Sequence, residues 1–169
     1  MTIAPNTPAL AAAPAAEAVV ADVTTLLPSR AAVLDRIAEH LATPAAAPAA
    51  LMVIGLLRRD DGWPTAQSTL SAVTMLLAGS LRGDDWLGKS GPGEFVVLLA
   101  GPATAAGTAA TRLVGTIPAL GIPDLTAAAG IAALTGDADA AEVLRRGLVS
   151  LTAARRAGAG TVIQHRKPY

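Results

Sequence analysis

Three residues in the middle of the chain have side chains suited to ligand chemistry: Arg82, Asp85 and Glu94. A guanidinium and a carboxylate three residues apart, in Arg82-Gly83-Asp84-Asp85, can grip one guanine base between them. The arginine meets the O6 and N7 acceptors as a bidentate donor, and the carboxylate accepts from the N1–H and N2–H edge. The same pair has a purely structural reading, with Arg82 a cation at the negative end of a helix dipole and Asp85 a turn former. Glu94 is a single carboxylate ahead of an apolar run and reads as an exposed residue opening a strand. Asp60-Asp61-Gly62 follows a strand-like run and reads as turn chemistry rather than a metal site. His40 and His165 fall in different predicted elements without ligand spacing, so both read as surface residues.

The elements that must position these residues follow from hydrophobic period and punctuation. Two extended segments, Trp86 to Ser90 and Glu94 to Ala100, meet at Gly91-Pro92-Gly93, a composition that predicts a tight hairpin. Leu70, Val73, Leu77 and Leu81 recur at helical spacing and place Arg82 at a helix end. Ala50 to Leu57 is continuously apolar, which predicts a central strand buried on both faces. Ser29 is the expected N-cap of a first helix carrying Val33, Leu34, Ile37 and Leu41 on one face and ending before Pro44. Beyond the hairpin, Pro102 opens a helix with Ala106, Ala110, Leu113, Val114 and Ile117 inward, closed near Pro118 and Gly121. Leu125 to Ala132 reads as a strand. Asp139-Ala140-Ala141-Glu142 has capping-box spacing and starts a helix burying Leu144, Leu148 and Leu151. Thr161 to His165 is the last strand. Strands interleaved with helices around one hairpin predict an α/β domain, a mixed sheet with helices packed on it. No internal repeat is visible. Trp63 and Trp86 are expected at the sheet's edge or on a partner surface.

Composition bounds the rest. A chain of 169 residues is one domain of ordinary size, able to bury a core. Hydrophobic residues make up 52% but aromatics only 2%, so Leu, Val, Ile and Ala must fill that core, with little area buried per side chain. Thirteen basic residues balance thirteen acidic ones, so no global charge draws the chain to nucleic acid or an anionic membrane. The absence of cysteine removes disulfides, thiolate metal sites and cysteine nucleophiles, and is compatible with a cytoplasmic location. Residues 1–21 are apolar but broken by Pro5, Pro8 and Pro14 and lack a basic start. They read as a disordered Ala/Pro-rich tail rather than a signal or membrane span. A domain over 22–165 and a short tail over 166–169 complete the expected organisation.

Gly91-Pro92-Gly93-Glu94-Phe95 resembles the signature hairpin of GGDEF domains, the diguanylate cyclase family of bacterial signalling, in which Gly-Gly-Asp/Glu-Glu-Phe forms the turn. The first glycine, the glutamate and the phenylalanine stand, while the second and third positions are changed. Arg82 to Asp85 sits at the spacing of the family's Arg-x-x-Asp product-binding motif. Asp22 to Arg30 resembles the family's opening sequence, Asp-x-Leu-Thr-Gly-Leu-Pro-Asn-Arg. Asp22, Thr25, Leu27, Pro28 and Arg30 match there, whereas Thr24, Leu26 and Ser29 depart. Thr126 and Gly130 match a later strand, with Ala128 in place of its serine. The resemblance runs from Asp22 to about Val162.

It implies a five-stranded sheet of the nucleotidyl-cyclase type with a ferredoxin-like core, and a degenerate GGDEF domain over 22–165. The family's metal-binding aspartate aligns with Gly55, and Gly93 replaces a second acidic position, leaving Glu94 as a catalytic remnant. The guanine-reading pair of active cyclases cannot be placed. Of the two cations that touch the triphosphate, Arg155 stands at the lysine position and Ala159 replaces the arginine. The implied function is therefore a catalytically inactive signalling domain, without metal or cofactor, that binds cyclic di-GMP through Arg82 and Asp85. Arg58, Arg59 and Arg112 are candidates to complete that site. The alternative is a nucleotide-independent interaction or scaffold module acting through a protein partner or self-association. A residual diguanylate cyclase is the third reading.

Overall fold

The computed structural model describes residues 26–43, 47–58 and 65–166. The expected tail, the Asp22–Thr25 part of the opening motif, Asp60-Asp61-Gly62, Arg59, Trp63 and residues 167–169 lie outside that set. Helix α1 (Arg30–Ala42) starts where Ser29 Oγ accepts the Ala32 amide at 3.4 Å, and it buries Val33 and Ile37 one turn apart. Strand β1 (Ala49–Arg58), helix α2 (Gln67–Ser80) and the hairpin β2 (Trp86–Gly91) and β3 (Glu94–Ala100) follow. Helix α3 (Ala103–Thr116) runs into a 3-10 turn over Ile117–Leu120, which Gly121 closes at φ 70°. Strand β4 (Leu125–Ala133), helix α4 (Ala140–Ala157) and strand β5 (Val162–Gln164) complete the order. Pro102 is the N-cap of α3 rather than its first residue, and β5 is shorter than the expected Thr161 to His165.

The five strands form one mixed sheet in the order β2-β3-β1-β4-β5, antiparallel except for the β4–β5 pair. β1 is its centre and is covered on both faces, which is why its sequence is apolar without alternation. Ala50, Met52 and Ile54 face Val73 and Leu77 of α2 and Ala106, Ala110 and Leu113 of α3. Leu51 and Val53 face Val33 and Ile37 of α1 and Val143, Leu144 and Leu151 of α4. Because side chains alternate along a strand, Gly55 lies on the α1/α4 face, and so does Glu94, its cross-strand neighbour on β3.

Helix α4 lies unusually close to the sheet. A side chain on Gly130 would run into the Leu151 amide and the Gly147 carbonyl of α4, and one on Gly147 would come within 3.0 Å of Val53 and 3.1 Å of Leu51. The helix starts at Asp139, whose carboxylate accepts the Glu142 amide at 2.7 Å. The reciprocal half of the expected capping box gives way to ion pairs from Glu142 to Arg145 (2.6 Å) and Arg146 (2.9 Å). Hydrogen bonds from Arg145 first and Arg146 second lower the Glu142 pKa from 4.5 to about 2.

Substituting Gly130→Ala should cost about 3 kcal/mol or more, since backbone on the facing helix leaves a methyl no room. Chemical denaturation of the variant measures that loss. A carboxylate with a depressed folded pKa contributes stability that is present above its unfolded value and lost on acidification. The Glu142 contribution should therefore be complete above about pH 4.5 and disappear as pH falls towards 2. Melting curves of the wild type against Glu142→Gln across that window should converge at the acid end.

Candidate functional site

The signature-like turn is built as a two-residue connection. β2 extends through Gly91, so only Pro92 and Gly93 turn the chain, and Gly93 adopts φ 64°. Its carbonyl accepts the Leu56 amide at 2.9 Å, which ties the turn to β1. Phe95 points to the opposite face and is buried in the α2/α3 core at 3% exposure. Trp86 sits half-buried on the edge strand β2, its ring over Gly88, where a side chain would meet it at 2.8 Å. That agrees with the sheet-edge expectation.

Glu94 departs from its expected place as an exposed strand-opening residue. Its side chain is 21% exposed and both oxygens are engaged: Arg155 Nη1 donates to Oε1 at 2.8 Å and Ser90 Oγ donates to Oε2 at 3.1 Å. The reason is the alternation of β3, which turns Glu94 towards the last turn of α4, where Arg155 projects. The Arg155 guanidinium fills the space a side chain at Gly55 would need, its Cζ and Nε each 2.7 Å from where that Cβ would be. Ala128 lies across β1–β4 from Gly55 and adds no polar group, and Ala159 is exposed between Gly158 and Gly160. Beside Glu94, a cleft of about 330 Å³ is lined by Leu27, Arg30, Leu70, Lys89, Ser90 and the Gly91–Phe95 turn.

A divalent cation of the kind the resemblance implies does not fit this donor set. Mg²⁺ takes one or two carboxylates with substrate oxygens, whereas Gly55 and Gly93 offer none and Glu94 is held by a guanidinium. Among the described residues no three histidine, aspartate or glutamate side chains gather. His40 at the end of α1 and His165 after β5 stay apart from the site and each is half-buried.

Arg82 and Asp85 occupy the other end of the hairpin. Asp85 approaches Ala100, the last residue of β3, while Glu94 is the first, and the length of that strand separates the two sites by about 20 Å. Asp85 Oδ2 accepts the Arg82 amide at 2.9 Å and Oδ1 the Ala100 amide at 3.4 Å, while the Asp85 amide donates to the Arg82 carbonyl at 3.1 Å. The Arg82 side chain is exposed, and the two residues form no mutual ion pair. Arg112 of α3 reaches the same place, its Nη2 donating to the Ser80 carbonyl at the C-terminus of α2 at 3.3 Å. Arg82, Asp85 and Arg112 line one depression of about 90 Å³ with Leu81, Leu99 and Ala109. Of the other two candidate cations, Arg58 ends β1 at the far side of the sheet, and Arg59 is outside the described residues. Sequence reasoning did not find Ser90 or the pairing of Glu94 with Arg155. Glycines at 55 and 93 together with a cation at 155 are the one available signal.

Asp85 clamps backbone and Arg82 does not, so the two should separate on substitution. Asp85→Ala should lose about 1–3 kcal/mol through its uncapped amides, and Arg82→Ala should stay within about 0.5 kcal/mol of wild type. Urea denaturation of both variants checks this.

No protein-family model matches the chain, and no curated protein matches it either. Solved structures do. The active GGEEF domain of a diguanylate cyclase from Vibrio cholerae aligns with 84% of this chain and 99% of its own, at 19% identity and TM-score 0.70. The GGDEF domain of YfiN from Pseudomonas aeruginosa aligns with 85% of this chain and 99% of its own, at 23% identity and TM-score 0.71. The coiled coil and GGDEF domain of DgcB from Caulobacter crescentus, solved in complex with cyclic di-GMP, aligns with 85% of this chain and 84% of its own, at 17% identity and TM-score 0.72. The five-stranded order, the four helices and the hairpin that carries Glu94 are thus those of a known architecture, and this chain has the fold of the GGDEF domains of diguanylate cyclases.

Proposed function

We propose that this chain is a non-catalytic GGDEF-fold signalling domain that acts as a receptor for cyclic di-GMP through Arg82 and Asp85, with Arg112 completing the site. The observation that carries the reading is the convergence of these three side chains on one depression at the Ala100 end of the hairpin, about 20 Å from Glu94. Two guanidiniums flank a carboxylate whose orientation is fixed by backbone amides. An exposed guanidinium can meet a guanine Hoogsteen edge or a phosphate, and the carboxylate keeps further lone pairs for the Watson–Crick edge. Solved neighbours include GGDEF domains in complex with cyclic di-GMP, which agrees with that ligand class.

The other end of β3 supports the non-catalytic part of this reading. Joining two GTP molecules requires attack of a 3'-hydroxyl on an α-phosphate while a divalent cation neutralises developing charge. Among the described residues one carboxylate stands there, and it is paired with Arg155.

A scaffold role, with no nucleotide, is the second reading. It is favoured by the engagement of both Asp85 oxygens with backbone amides, which a purely structural aspartate would also show. A neighbouring fold, the diguanylate cyclase SiaD of Pseudomonas aeruginosa, is solved with its activator SiaC, an example of protein partnership on this architecture.

Calorimetric titration with cyclic di-GMP should show saturable binding in the micromolar range, weakened about tenfold or more in Arg82→Ala and in Arg112→Ala and unchanged in Glu94→Gln. Flat traces with wild type would leave the scaffold reading. Incubation with GTP and Mg²⁺ or Mn²⁺ should yield no cyclic di-GMP, and turnover abolished by Glu94→Gln would overturn the non-catalytic part.

A further inference from the structure

We infer that the Arg155 guanidinium is a resident cation, occupying both the side-chain space vacated at Gly55 and the place of a metal ion on Glu94, so that the hairpin end of this domain is organised without any divalent ion. The strand register and the placement of one side chain converge on it. Gly55 and Glu94 are direct cross-strand partners and face the same side of the sheet, so two acids at these positions would converge. Only one acid is present, and its Oε1 receives Arg155 Nη1 at 2.8 Å while Oε2 receives Ser90 Oγ at 3.1 Å. Any methyl or larger group at Gly55 would overlap the guanidinium.

The substitution is chemically balanced. A carboxylate with 21% of its side chain exposed needs a counter-charge, and a guanidinium on a helix supplies one with directional hydrogen bonds in place of a coordination sphere. Because it is covalently tethered, it needs no ion from solution. It also excludes one: a cation approaching Oε1 would have to displace Arg155, and the glycine opposite offers no side-chain ligand to hold it. Gly55 and Arg155 are therefore interdependent. Glycine is ordinarily poor in a strand interior, and alanine would stabilise such a site if space allowed. Here the sign should depend on Arg155.

The test joins a titration with a thermal cycle on the full chain. Wild type should show no saturable Mn²⁺ uptake by electron paramagnetic resonance, and its Tm should be the same in Mg²⁺ and in EDTA. One-to-one Mn²⁺ uptake that disappears in Glu94→Gln would overturn the inference, and this arm needs no altered protein to give its main answer. In the cycle, Gly55→Ala should lower Tm by about 2 °C in the wild-type background, because the methyl meets the far end of a side chain that can shift only by loosening its pair with Glu94. It should leave Tm unchanged or raise it in the Arg155→Ala background. Equal losses in both backgrounds would mean that the guanidinium does not fill the space at Gly55, and would sink the idea. If Arg155→Ala does not fold, Arg155→Met keeps the aliphatic packing and serves the same comparison. None of these readouts uses cyclic di-GMP or Arg82, so failure here is separate from failure of the receptor reading.

Discussion

The position of α4 on the sheet is the constraint from which the chemistry of the hairpin end follows, and two missing side chains set it. Gly130 on β4 and Gly147 on α4 let helix and sheet approach closely enough for the strand to meet the Leu151 amide and the Gly147 carbonyl. Protein interiors transmit such contacts rigidly because they are packed to crystal-like density. Eight residues beyond Gly147, about 12 Å along the helix, Arg155 arrives over Gly55 and beside Glu94. A side chain at Gly130 would meet helix backbone and hold the helix further from the sheet. The ion pair is thus a consequence of backbone packing two turns upstream.

Electrostatics then separates the two ends of β3. At the Glu94 end, a half-buried carboxylate is matched by a half-buried guanidinium and a serine hydroxyl, so each of its oxygens already has a partner within the chain. Removing either charge would leave the other partly desolvated and unpaired, which costs more than the pair itself contributes. At the Ala100 end the carboxylate of Asp85 is spent partly on backbone amides, while the exposed guanidinium of Arg82 faces solvent beside Arg112. On the reading proposed here, the same fold carries a closed site and an open one, about 20 Å apart along one strand.

Such a division is compatible with a fold whose solved members include an active cyclase, domains bound to cyclic di-GMP and a cyclase bound to an activator. Architecture alone does not choose among those roles, because function lives in the residues placed on it. Here the residues at 55, 93 and 128 are small and apolar, and the cations at 82, 112 and 155 stand in two separate places.

Sequence by itself determined the elements. The apolar run over Ala50–Leu57 required a strand covered on both faces. The spacing of Val33 with Ile37 and of Val73 with Leu77 fixed the buried sides of α1 and α2, and Ser29 and Asp139 fixed two helix starts. Gly91-Pro92-Gly93 fixed the hairpin to within one residue. These signals are local, since period, capping and turn chemistry act over a few residues. What tertiary structure decided was which distant side chains meet. Glu94 and Arg155 are 61 residues apart in sequence, and Arg112 and the Ser80 carbonyl 32. Neither pairing leaves a local pattern. Each depends on how helices rest on the sheet, so Arg112 joined Arg82 and Asp85 while Arg58 stands at the opposite end of β1. Glu94 became a partly buried ion-pair member instead of an exposed strand opener because Gly130 and Gly147 let α4 come close enough to reach it.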